Sequence, residues 1–102
     1  MWTAPLFQRQ LEVDPTIDTD RLTARLPPHV VLLHNDEVND MAHVVDSLIA
    51  AVPPLSRERA TEIMLDAHNH GRARVIVCPL EQAELYRDRL LSRRLTATIE
   101  AA

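Results

Sequence analysis

Met41, Val44, Val45, Leu48, Ile49 and Val52 recur at the three- and four-residue spacing of one helix face, and Pro53-Pro54 follows at once. A proline drives the residue before it away from α geometry and lacks the amide a helix interior needs, so the helix ends there. Asn39 or Asp40 supplies the cap at its start. Ser56 then caps a second helix, with Glu58 placed favourably near its positive end. Ala60, Ile63, Met64 and Ala67 form the apolar face of this helix, and His68, four residues after Met64, falls on the same side. Gly71, the chain's one glycine, suits the left-handed position that closes such a helix. A link this short lets the two helices pack as an antiparallel pair.

Around the pair lie three strand signals. Val30-Val31-Leu32-Leu33 and Val75-Ile76-Val77-Cys78 are short aliphatic, β-branched runs, read as buried strands. Leu95, Ala97 and Ile99 alternate with Thr96, Thr98 and Glu100, the pattern of a half-buried strand. Pro79 opens a third helix to about Arg93, with Ala83, Tyr86 and Leu90 on one side. The order β-α-α-β-α-β predicts a single α+β domain over residues 29–102, a small three-stranded antiparallel sheet covered by three helices. Residues 1–28 carry Pro5, Pro15, Pro27 and Pro28, scattered acids and no sustained period, and are expected to form a flexible arm. Trp2, Leu6 and Phe7 within it either fold back on the domain or make a short contact motif for a partner.

Composition removes several function classes. A net charge of −4 argues against nucleic acid, and the basic stretch Arg87, Arg89, Arg93 and Arg94 is interleaved with Glu84 and Asp88 as on a solvated helix face. One glycine in 102 residues leaves no glycine-rich loop for a phosphate or dinucleotide, so no cofactor is expected. No apolar run has the length to span a membrane, and the N-terminus lacks the pattern of a secretory signal. The single cysteine, Cys78, precludes an internal disulfide and fits a reducing compartment; within a strand it reads as a small hydrophobe. Five histidines (His29, His34, His43, His68, His70) raise the question of metal, but none forms a zinc-protease pair, and His68 and His70 point in different directions on their helix. No metal site and no catalytic constellation is expected.

The chemistry instead gathers where the first helix begins and the second ends. Met41 and Val44 start one helix; Met64, Ala67 and His68 close the other; Asn35, Asp36 and Glu37 occupy the turn between the first strand and Met41. Packed together, these residues make an apolar pocket with two adaptable methionine walls and a mouth of amide, carboxylates and imidazole. Such a site suits a bulky apolar residue that carries a positive charge.

At these residues the sequence resembles the ClpS family, the adaptors of the Clp AAA+ proteases. The family's Asn-Asp-Asp, short spacer and Met is matched by Asn35-Asp36-Glu37-Val38-Asn39-Asp40-Met41, and its Ala-Thr-x-x-Met-Leu-x-x-His-x-x-Gly by residues 60–71. The likeness runs through roughly residues 29–100. It departs at Glu37, where Asp is usual, at Asn39-Asp40 in place of Thr-Pro, and at Ala67 in place of a larger Val. Residues 76–84 and the Leu-Thr-Ala-Thr-Ile ending resemble the cyanobacterial and plastid branch.

The resemblance implies an adaptor that binds proteins whose first residue is Leu, Phe, Tyr or Trp and delivers them to the ClpA or ClpC unfoldase for ClpP proteolysis. It implies α-amine recognition by Asn35, Asp36, Glu37 and His68, and a side-chain pocket of Asn39, Met41, Val44, Met64, Ala67 and Leu95. It places Glu81 against the N-terminal domain of the ATPase, gives the arm a role during handover, and implies the cytoplasm or a plastid stroma. The alternatives are a regulator that docks on the same ATPase domain and inhibits other substrates without binding first residues, an interaction domain like that of the ribosomal stalk protein, and a metalloenzyme.

Overall fold

A computed structural model describes residues 27–102. The expected arm lies outside the described residues apart from Pro27 and Pro28, and Pro28 already opens the first strand. The elements are β1 (Pro28–His34), α1 (Met41–Ala51), α2 (Arg57–His70), β2 (Arg72–Pro79), α3 (Leu80–Ser92) and β3 (Thr96–Ala101). The sheet is antiparallel in the order β2-β1-β3, so the most apolar strand is the central one.

Asp40 caps α1, its side chain accepting from the His43 amide at 2.7 Å. Ser56 caps α2, accepting from the Arg59 amide at 3.0 Å. Gly71 ends α2 with φ 92° and ψ −27°, a conformation open chiefly to glycine. The last turn of α1 is held by Arg89 of α3, whose guanidinium donates to the Ala51 carbonyl at 3.3 Å. Arg93 and Arg94, expected on the face of α3, lie in the turn beyond it.

Val31 and Leu33 of β1 point into the core with Leu48, Val52, Ile63, Met64 and Leu90. Val30 and Leu32 are also buried, on the opposite side beside Arg72, Arg74 and Glu100. Burial on both faces explains why this strand reads as an unbroken apolar run rather than an alternation. In β2 the register shifts opposite Val31/Leu32, so Ala73, Val75 and Cys78 are buried while Val77 is exposed. One extra residue on β2 re-phases the side chains beyond it, as a bulge does.

Candidate functional site

The loop between β1 and α1 is organised by one carboxylate. Asp36 accepts from the amides of Val38 (3.0 Å) and Asn39 (2.9 Å) and from the side-chain Nδ2 of Asn39 (3.0 Å to Oδ2). Partial burial pushes the Asp36 carboxyl up, but these hydrogen bonds, aided by the charge of nearby His43, outweigh it and hold it below the ordinary carboxylate value. The Asn35 amide donates to the Gly71 carbonyl at 2.9 Å. That bond ties the start of the loop to the end of α2 and sets Asn35 beside the turn that carries His68.

A concavity of about 370 Å³, its open mouth included, lies between α1, α2 and the turn into β3. Met41, Val44, Met64, Ala67 and Leu95 supply apolar walls, and Asn35, Asp36, Asn39 and His68 line it with polar groups. Nine of the ten residues expected at an amine mouth and side-chain pocket therefore meet in one cavity. Glu37 does not: it is exposed and outside the lining. Leu33 and His34, which sequence reasoning missed as pocket residues, complete the lining. A signal for them existed, since they immediately precede Asn35 at the end of the central strand. His34 Nε2 lies 2.7 Å from Thr98 Oγ1, bracing β1 to β3 below the cavity.

The polar groups are not equivalent. Asp36 already spends both oxygens on its own loop, whereas the His68 ring is exposed and without a hydrogen-bond partner among the described residues. Met41 is 46% exposed and Met64 8%, so one flexible wall stands at the rim and the other at the floor. The cavity offers apolar contact below and hydrogen-bond acceptors above.

Glu81 lies elsewhere, exposed in the first turn of α3 beside Pro27, His29, Pro79 and Leu80, which edge an apolar depression. Cys78 is buried in the core cluster and its thiol is pushed up by burial, which makes it a packing residue and a poor nucleophile. Among the described residues no group of three or more His, Cys, Asp or Glu side chains comes together to hold a metal ion. No described helix is long and apolar enough to cross a membrane.

The family model of the ATP-dependent Clp protease adaptor protein ClpS matches residues 24–98. The chain belongs to the ClpS family. An ATP-dependent Clp protease adapter protein ClpS of Synechococcus sp. (strain CC9902) is 48% identical over 81 residues, covering 79% of this chain and 78% of that protein. That of Prochlorococcus marinus (strain MIT 9515) is 46% identical over 82 residues, 80% of this chain and 78% of that one. The chloroplastic CLPS1 adapter of Chlamydomonas reinhardtii is 38% identical over 86 residues, 84% of this chain and 53% of its own length. Agrobacterium tumefaciens ClpS2, solved bound to L-phenylalaninamide, superposes with a TM-score of 0.70 at 27% identity, over 76% of this chain and all of that one. As a ClpS adaptor the chain is a binding protein and not an enzyme, and it works in regulated proteolysis.

Proposed function

We propose that this cavity binds the first residue of proteins beginning with Leu, Phe, Tyr or Trp, and that the chain hands them to a Clp unfoldase, ClpA or ClpC, for ClpP proteolysis. The observation that carries the reading is one concavity that joins the apolar walls Met41, Val44, Met64 and Leu95 to the polar side chains of Asn35 and His68, neither of which has a side-chain hydrogen bond among the described residues. L-phenylalaninamide, the ligand of Agrobacterium tumefaciens ClpS2, is a first residue in miniature: a free amine, an apolar side chain and an amide. In this reading His68 and Asn35 receive the ammonium group, Asp36 supplies the negative field while holding the loop, and Glu37 acts from outside the lining through charge alone.

Burying a bulky apolar side chain contributes about 2–3 kcal/mol. Each well-formed hydrogen bond to a charged amine adds about 1.5–3 kcal/mol. After ordering costs, affinity near 1 μM, about −8 kcal/mol, is expected. An internal Leu lacks the amine, and a first Lys cannot use the apolar walls. Glu81 and its apolar surroundings are the proposed contact with the N-terminal domain of the ATPase, in the cytoplasm or in a plastid stroma.

Reconstitution with the cognate unfoldase and ClpP tests the delivery. Reporters differing only at residue one are compared: those beginning with Phe or Leu are degraded faster when the chain is added, and one beginning with Lys is not. Slowed degradation of all substrates, with no dependence on residue one, would replace this reading with that of an inhibitory regulator.

A further inference from the structure

The wall residue Leu95 is delivered by a turn whose carbonyls are held by two side chains from the start of α1 and the loop before it. Asn39 Nδ2 donates to the Arg94 carbonyl at 2.8 Å, and His43 Nε2 donates to the Arg93 carbonyl at 2.9 Å. The turn is closed from within by the amides of Arg93, Arg94 and Leu95, which donate to Leu90, Leu91 and Leu90 respectively. Arg94 has φ 69°, a left-handed backbone that non-glycine residues rarely adopt. Carbonyls at a helix end otherwise turn to water; here they are bound to residues 50 and 55 positions away in the chain.

His43 does not line the cavity. It sits half-buried in the first turn of α1, next to the wall residue Val44 and above buried Ser47, whose Oγ lies 3.4 Å from the same ring nitrogen. A polar residue on a solvated helix face would leave its ring in water. This one is instead spent on fixing the distance between α1 and the turn before Leu95.

Building on the first-residue reading above, we propose that His43 is a positioning residue that sets how closely Leu95 stands against Met41 and Val44, and thereby which first side chains fill the pocket. Dispersion contact decays steeply: a gap of about 0.5–1 Å forfeits a quarter to a half of it. A short, branched Leu depends on all walls being close, while a large ring reaches them across a looser cavity. Loosening the turn therefore penalises Leu more than Trp.

The test measures affinities of the full chain and its His43→Ala, His43→Phe and His43→Gln variants for peptides that begin with Leu or Trp. Loss of one such hydrogen bond corresponds to about a fivefold effect, so the Leu-to-Trp affinity ratio is expected to fall about fivefold in His43→Ala and His43→Phe. His43→Gln, whose amide can still donate to the Arg93 carbonyl, recovers most of the ratio. Because both peptides report on the same folded fraction, partial unfolding cannot imitate a changed ratio. His43→Phe keeps an aromatic ring in place should the alanine variant not fold. An unchanged ratio in His43→Ala or His43→Phe overturns the proposal alone. Failure of the unsubstituted chain to bind either peptide overturns the first-residue reading and this proposal with it.

Discussion

His68 and Asp36 face the same cavity with opposite commitments. The His68 ring has no partner among the described residues, so its removal disturbs little else; Asp36 is tied into its loop by three groups. His68→Ala is therefore expected to weaken a Leu- or Phe-initiated peptide by about 1–3 kcal/mol, the cost of one charge-assisted bond, with the melting temperature unchanged. Calorimetric titration checks the first half and thermal denaturation the second. Asp36 yields a pH prediction. Its folded pKa is depressed below 3.8, so its contribution to the loop is fully present above that value and is lost as pH falls through the lower, folded one. The amide chemical shifts of Val38 and Asn39, whose N–H groups donate to it, are expected to follow the protonation of Asp36 with a common midpoint below 3.8. A midpoint at or above 3.8 in an NMR pH series contradicts the hydrogen-bond account.

At the scale of elements, the two left-handed helix ends make opposite predictions. Gly71 has open space where a Cβ would stand, so Gly71→Ala meets backbone strain of about 1–2 kcal/mol and no clash. The freedom that alanine removes from the unfolded chain offsets part of it, leaving a net loss of about 1 kcal/mol. Arg94 already carries that strain, and Arg94→Gly relieves it against the greater freedom of glycine in the unfolded chain, leaving a net gain of up to about 1 kcal/mol. For a domain of this size about 1 kcal/mol moves the melting temperature by roughly 4–8 °C, which thermal denaturation resolves in either direction.

These ends also show what the sequence makes legible. Gly71, Ser56 and Pro53-Pro54 announce helix limits through their own chemistry, and they fall where expected. Arg94 has no such signature, because its turn is held through carbonyls that every residue carries. His43 and Asn39 reach those carbonyls across 50 and 55 residues, beyond what local spacing encodes. β2 was legible only in part: Arg72-Ala73-Arg74 lacks an apolar run, since a small alanine suffices on the core side between two exposed arginines.

For the whole molecule, the element order and fold class follow from periodicity, but the strand order does not, because an apolar run specifies burial and not its partner. The central place of β1 is what brings Leu33, His34 and Asn35 to the junction of α1, α2 and the turn before Leu95. Of the lining residues, Met41, Val44, Met64 and Ala67 could be grouped from sequence because residues at i, i+3 and i+4 share a helix face, whereas Leu95, in the turn before β3, came only from the family resemblance. Glu37 fell outside the cavity because its loop, folded around Asp36, turns it to solvent, a matter of backbone path that spacing does not record.

The central claim is that one cavity reads both the charge and the side chain of a first residue. Its most direct measurement is the affinity of the full chain for a peptide beginning with Leu, compared with the same peptide N-acetylated. The account predicts binding near 1 μM for the free amine and a loss of at least about 100-fold on acetylation, the equivalent of one to two charge-assisted bonds. Equal affinity for the two peptides would contradict it.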